Sequence, residues 1–239
     1  MKVVAFGSVR GAPGVTTTAT LIAGALPDPS VLVEADLAGS VMAVRYDLGR
    51  EPGLTTLAAS GTLESDGWRE HAQDAGGVPV LVGPDSPANA RSLWRRAGSS
   101  LGQTLVSSDA TVVADLGRLD DEVPLLDRAA LLVLLVRPVA EHLVTLSHRL
   151  PMLRGQAQRV QVAVVLVGEG SYRPVDVAGP LGVDVLGVLP HDPRAADALS
   201  GGGTGLTLAR SRLFRAATGV ATTIHSAIGT YGEPIGAAK

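Results

Sequence analysis

Cysteine is absent from this chain of 239 residues, which excludes disulfides, thiolate metal centres, iron–sulfur clusters and a cysteine nucleophile together. The absence fits a reducing compartment, and a cytoplasmic protein is expected. Aromatic residues are scarce, at 3%. Lysine is scarcer still: Lys2 and Lys239 stand at the two ends, and arginine supplies every other positive side chain. No apolar run reaches the roughly 18 residues a membrane span needs. The longest, over residues 129–136, has the length of a strand, and the apolar run near the N-terminus is too short for a signal peptide. No membrane insertion is expected. Against these absences stand 46% hydrophobic residues, 18% charged residues and 29 glycines, the composition of one globular domain with many tight turns. The net charge of −3 argues against a polyanion binder as a whole. The charge is uneven, however: no acid lies between Asp197 and Glu233, while Arg210, Arg212 and Arg215 do.

Short β-branched apolar runs alternate with segments of helical period. Strands are predicted over residues 3–6, 31–34, 79–82, 111–115, 131–136, 162–167 and 183–189. Most are apolar on both faces, as strands covered on both sides must be. Helices are predicted over 16–26, 40–48, 88–101, 140–150 and 206–228. The last carries an apolar or small stripe of helical period through Leu206, Ala209, Leu213, Ala216, Val220, Ile224 and Ile228, so it docks on the domain. The alternation predicts a single α/β domain over 1–228 with a mostly parallel, twisted sheet and helices on both faces, followed by a tail over 229–239. In such sheets ligands bind at the carboxyl ends of the strands.

The segment Ser8-Val9-Arg10-Gly11-Ala12-Pro13-Gly14-Val15-Thr16-Thr17-Thr18 follows the first strand and opens a helix. Glycines there let the backbone wrap a phosphate, the helix N-terminus aims N–H groups at it, and a Thr in the first turn can ligate Mg²⁺. The segment resembles the deviant Walker A loop of the ParA/MinD group of P-loop ATPases, Lys-Gly-Gly-x-Gly-Lys-Thr-Thr. Gly11, Gly14, Thr16 and Thr17 match, and Ala12 replaces the second glycine. The family's signature lysine is Arg10 here, which keeps the charge and can reach phosphate in cis or across a dimer. The lysine that reaches the β- and γ-phosphates is Val15, which has neither charge nor donor. Losing a charge-assisted phosphate contact costs roughly 1.5–3 kcal/mol, and more where charge develops during hydrolysis.

Further segments extend the resemblance. Val31-Leu32-Val33-Glu34-Ala35-Asp36 resembles the second-strand motif, with Asp36 on the carboxylate that positions the attacking water; by itself such an Asp also suits a turn or cap before the helix near Ser40. Residues 53–61 resemble the helix after switch I. Thr111 to Gly117 resembles Walker B and switch II, with Asp115 on Mg²⁺ and Gly117 beside the γ-phosphate. The loop at Pro190 resembles the one that packs on adenine, and Val167 or Gly168 stands where the family's adenine-reading Asn does.

The resemblance implies a P-loop NTPase fold binding ATP or ADP with Mg²⁺ through Arg10, Gly11, Ala12, Pro13, Gly14, Val15, Thr16, Thr17, Asp115, Gly117 and Pro190. It places Mg²⁺ at Thr16, Asp36 and Asp115, and Asp36 is the catalytic candidate. It also implies a homodimer with a protein partner. Two readings remain: a weakly binding or non-hydrolysing scaffold for positioning or assembly, like the degenerate pilus-associated members resembling TadZ and CpaE, or an active ATP-hydrolysing switch for partitioning or division-site placement. Arg210, Arg212 and Arg215, alone or together with Arg91, Arg95 and Arg96, are a candidate surface for weak, non-specific DNA contact, or else a solvated face. The five histidines form no metal-binding motif.

Overall fold

The computed structural model describes residues 2–11, 14–119, 123–156, 160–200 and 209–230. Eight strands form one sheet: β1 (Val3–Ser8), β2 (Ser30–Glu34), β3 (Gln73–Asp74), β4 (Pro79–Leu81), β5 (Thr111–Arg118), β6 (Leu131–Val136), β7 (Gln161–Val167) and β8 (Asp184–Leu189). Their order is β3-β4-β2-β5-β1-β6-β7-β8, and every pairing is parallel except β3 with β4. This is the expected single-domain α/β architecture.

Strand periodicity divides the core in two. Along β1, Val3 and Ala5 face one apolar cluster while Val4 and Phe6 face the other. Along β6, Leu132 and Leu134 face the first while Leu131 and Val133 face the second. The first layer is covered by α3 (Leu54–Ser60), α4 (Pro87–Val106), α5 (Ala140–Gln156) and α6 (Pro174–Leu181), through side chains such as Leu57, Leu101, Leu150 and Val177. The second is covered by α1 (Val15–Ala25), α2 (Met42–Arg45), α7 (Pro193–Ser200) and α8 (Arg212–Thr230), through Ile22, Met42, Ala195 and Ile224. Of the predicted last helix, residues 206–208 lie outside the described residues, as does most of the expected tail.

The helix predicted over 40–48 shrinks to Met42–Arg45. Asp47 takes a left-handed backbone with φ 51, which a helix cannot continue through. Conversely, α4 and α5 outrun their predicted ends, because Leu105 and Leu153 extend their buried stripes; α5 does so across Pro151. The helices α6 and α7 were not signalled by the sequence pattern, being short and interrupted or flanked by proline.

Between Phe6 and Ser8 the β1–β5 register slips: Phe6 pairs with Asp115, but Ser8 pairs with Arg118. One extra residue on β5 at this point bends the strand end and re-aims its side chains. The bulge falls where β1 enters the loop before α1, at the carboxyl edge of the sheet.

Candidate functional site

The loop from β1 to α1 turns on two left-handed glycines, Gly11 with φ 66 and Gly14 with φ 82. Gly14 is the N-cap of α1 and offers no side chain to the first-turn N–H groups. Those donors, with the positive end of the helix dipole, are oriented to receive an anion. Ala12 and Pro13 lie outside the described residues. Val15 is 5% exposed and packs into the apolar cluster of Ala19 and Ile22. Arg10 is exposed and lines neither of the cavities described below.

The ends of β2 and β5 bring three carboxylates close to the loop, with distinct environments. Glu34, 2% exposed, is fully engaged: it accepts from Ser40 Oγ at 2.6 Å, Val41 N at 2.6 Å, Met42 N at 3.0 Å and Gly83 N at 3.1 Å. Its role is to cap α2 and tie that helix to the end of β4. Asp36 closes a turn by accepting from Ala38 N at 2.8 Å. Its carboxylate also lies against Gly117, whose φ is +59; a Cβ on Gly117 would overlap the Asp36 oxygens. Glycine is required there both by the backbone and by this close approach.

Asp115 is the buried member. Its Oδ1 accepts from Gly117 N at 3.0 Å. Burial pushes its carboxyl up to about 6, assisted by the charges of Asp36 and Glu34 and opposed by the neighbouring Thr16 hydroxyl and the Gly117 N–H. The Oδ2 atom is nonetheless left without a hydrogen-bond partner of good geometry. A buried carboxylate oxygen beside a threonine hydroxyl suits Mg²⁺, held directly or through water. Among the described residues no group of three or more His, Asp or Glu side chains could hold a metal alone. Mg²⁺ here would therefore draw most of its ligands from phosphate and water, as it commonly does, with Thr16, Asp115 and Asp36 around it. Bound there, it would neutralise phosphate charge.

Two cavities meet at the loop and share Gly11, Gly14 and Thr17. The one at the ends of β1, β2 and β5 has a volume of roughly 710 Å³ and includes Thr16, Asp36 and Gly117 in its lining. The other, roughly 350 Å³, is bounded by Val167, Gly168, Pro190, His191 and α7. One cavity thus joins Gly11, Gly14 and Thr17 to Thr16 and Asp36, and the other joins them to Pro190. The chain's sole asparagine, Asn89, sits on α4, so no asparagine lines the second cavity. His142 does line it: its ring lies under the loop, where a Cβ on Gly11 would be 3.4 Å from His142 Cε1. Burial, and then the charges of Arg137 and Arg10, hold His142 below the ordinary imidazole value.

Sequence reasoning missed Arg45 and Arg118, which line the larger cavity, and placed Arg91 elsewhere. Of the arginines in the candidate DNA surface, two groups separate. Arg91, Arg95 and Arg96 belong to α4, on one face of the sheet, whereas Arg212 and Arg215 belong to α8, on the opposite face. The two groups form no common patch, and Arg91 belongs to the loop cavity. Arg210, Arg212 and Arg215 are exposed.

No protein-family profile matches the chain, and no curated protein does. Solved structures do. The cell division ATPase MinD of Pyrococcus furiosus superposes with a TM-score of 0.75 at 17% identity, over 94% of this chain and 98% of that one. A ParA family ATPase from Chlorobium tepidum gives 0.74 at 16% identity, over 92% and 97%. The septum site-determining protein MinD of Pyrococcus horikoshii, in complex with Mg-ADP, gives 0.73 at 15% identity, over 97% and 99%. The chain has the P-loop NTPase fold of MinD and ParA proteins. Among the described residues no helix is long and apolar enough to cross a membrane.

Proposed function

We propose that this chain is a ParA/MinD-type protein that binds Mg-ATP or Mg-ADP weakly and turns it over little or not at all. It works as a homodimeric positioning or assembly scaffold in the cytoplasm. Val15 carries this reading. At the loop position where the resemblance expects a phosphate-reaching lysine stands a valine buried in the core. Around it the nucleotide-handling groups persist: two left-handed glycines, an uncapped helix N-terminus, and Asp36, Asp115 and Gly117 at the strand ends. A site with its cradle intact and its transition-state cation missing favours binding over turnover. The Mg-ADP in the P. horikoshii MinD structure supports the ligand class. A protein partner completes the scaffold, and pilus or secretion assembly or cell-pole placement is the process that suits it.

The second reading is an active ATP-hydrolysing switch for partitioning or division-site placement. The contact of Asp36 with Gly117 favours it, because a carboxylate held against switch II is where an attacking water would be oriented. Calorimetry with Mg-ATP and Mg-ADP, paired with a phosphate-release assay, decides between them. Binding heat with phosphate release at the blank level is the expected result. Sustained turnover that Asp36→Ala abolishes would establish the switch instead.

A further inference from the structure

A titratable side chain lies against the loop between β1 and α1, and it comes from a distant helix. His142 stands in the first turn of α5, its backbone N–H donating to the Val139 carbonyl at 3.1 Å. It belongs to the buried stripe of that helix, with Leu146, Leu150 and Leu153, and is itself 9% exposed. It is the one polar member of the stripe and its first residue. The Cε1–Nε2 edge of the ring faces the loop: a Cβ on Gly11 would be 3.4 Å from Cε1 and 3.7 Å from Nε2. Gly11 borders both cavities, so the ring touches the backbone that would wrap a phosphate. Other charged and titratable groups surround it. Arg137 follows β6, Arg10 is on the loop and Glu141 is on α5, and all three act on the ring by charge. His191 and Asp192, beyond β8, line the same cavity, as does Arg137.

We propose that His142 takes up a proton when the phosphates of a nucleotide occupy the loop, and so supplies the positive charge that Val15 cannot. The proposal rests on the reading of the loop as a nucleotide site; it adds a binding residue to that site and makes its affinity depend on pH. In the empty site, burial and then the charges of Arg137 and Arg10 hold His142 below the ordinary imidazole value, so the ring is neutral near pH 7. An anion on the loop offsets those charges and favours the protonated ring. The interaction is stronger at a buried site than it would be in water. A lysine would keep its charge in the empty loop as well, whereas an imidazole is charged only when the ligand is there to pair with it.

The layout limits what this proton does. His142 lines the cavity beside Pro190, whereas Asp36 and Gly117 line the other one. The charge therefore serves binding, of diphosphate and triphosphate alike, and not the side of the loop where a water would attack. Affinity is lowest above the imidazole value of the complex and rises as pH falls through it. It levels off below the value of the empty site, where the free protein is protonated too.

The test is calorimetric titration of the full chain with Mg-ATP, Mg-ADP and adenosine near pH 7, in two buffers of different ionisation heat. Wild type is compared with His142→Gln and His191→Gln, and thermal melting checks that each is folded. Asp115, which titrates at about 6, loses what proton it still holds when Mg²⁺ binds, in every variant alike. The part attributable to His142 is thus the difference between wild type and His142→Gln. On binding either nucleotide, wild type should take up about half a proton more than His142→Gln. From pH 8 to pH 6 its affinity should gain about tenfold relative to that variant. His191→Gln should behave as wild type, and adenosine should move no proton. If His142→Gln fails the melting check, NMR of the wild type decides: the His142 Cε1–H signal should titrate at higher pH with Mg-ADP than without it, and an unmoved midpoint would overturn the assignment. Equal uptake in wild type and His142→Gln, uptake lost in His191→Gln instead, or uptake with adenosine alone would also overturn it, while leaving the nucleotide site standing. A wild type that binds neither nucleotide would remove both.

Discussion

Burial sets the behaviour of Asp115. Its carboxyl titrates at about 6 in the fold, against 3.8 when free of the fold's influence. Between those values the folded chain holds a proton that the unfolded chain has released. The stability this provides is complete below pH about 4 and is lost as pH rises through about 6. Asp115→Asn keeps an oxygen for the Gly117 N–H and never ionises. It should be more stable than wild type by about 2–3 kcal/mol near pH 7, with the difference vanishing near pH 4. Urea unfolding at both pH values measures this, and a pH-independent difference would show that Asp115 carries no such penalty. The same residue illustrates what was legible locally. An Asp ending a buried strand, followed by Leu-Gly, marks a candidate site in the sequence. Its unpartnered Oδ2 and its proximity to Thr16 depend on where α1 crosses β5, which no local pattern encodes.

At the level of elements, the strands other than β3 were legible because each is a short apolar run of fixed period, and the core layers follow that period along β1 and β6; β3, only Gln73–Asp74, carries no such run and was missed. The short helices α6 and α7 were not legible, and α2 was read too long. The helix α2 spans one turn, and its N-terminal N–H groups are received by Glu34. Glu34 belongs to the segment that resembles the second-strand motif, and in the fold its carboxylate receives the N–H groups at the start of α2. Glu34→Ala would leave the Ser40 hydroxyl and the N–H groups of Val41, Met42 and Gly83 without this acceptor. A loss of about 2–4 kcal/mol is expected by chemical denaturation, together with release of Arg45 from its place in the cavity. Glu34→Gln, which keeps one acceptor, should cost less. Equal stability of Glu34→Ala and wild type would rule out the capping role.

At the scale of the whole molecule, the segment carrying Asp36 and Arg45 also carries Val41 and Val44, which are 42% and 88% exposed. Apolar side chains left in water beside this cavity suit the contact of the proposed homodimer, which the proposed nucleotide would complete. Sedimentation velocity should show a larger dimer fraction with Mg-ATP than without it, and Val44→Asp should reduce that fraction. A single monomeric species under both conditions would contradict the homodimer. The arginines make the same point about distance. By sequence position Arg91 falls with Arg95 and Arg96 in a basic run; in the fold it is one of the residues lining the loop cavity, while Arg212 and Arg215 lie across the sheet.

The sequence by itself determined the alternation of strands and helices, the glycine turn after the first strand, and the valine where the resemblance expects a lysine, because each is written in neighbouring residues and their local chemistry. Only the tertiary structure decided which charged residues line the cavity beside the loop. Arg45, Arg91 and Arg118 come from three distant segments, and they line one cavity because β5 lies between β2 and β1 at the edge where α1 begins. Strand order is set by how whole layers bury their apolar faces, a property of the assembled sheet that no single segment carries.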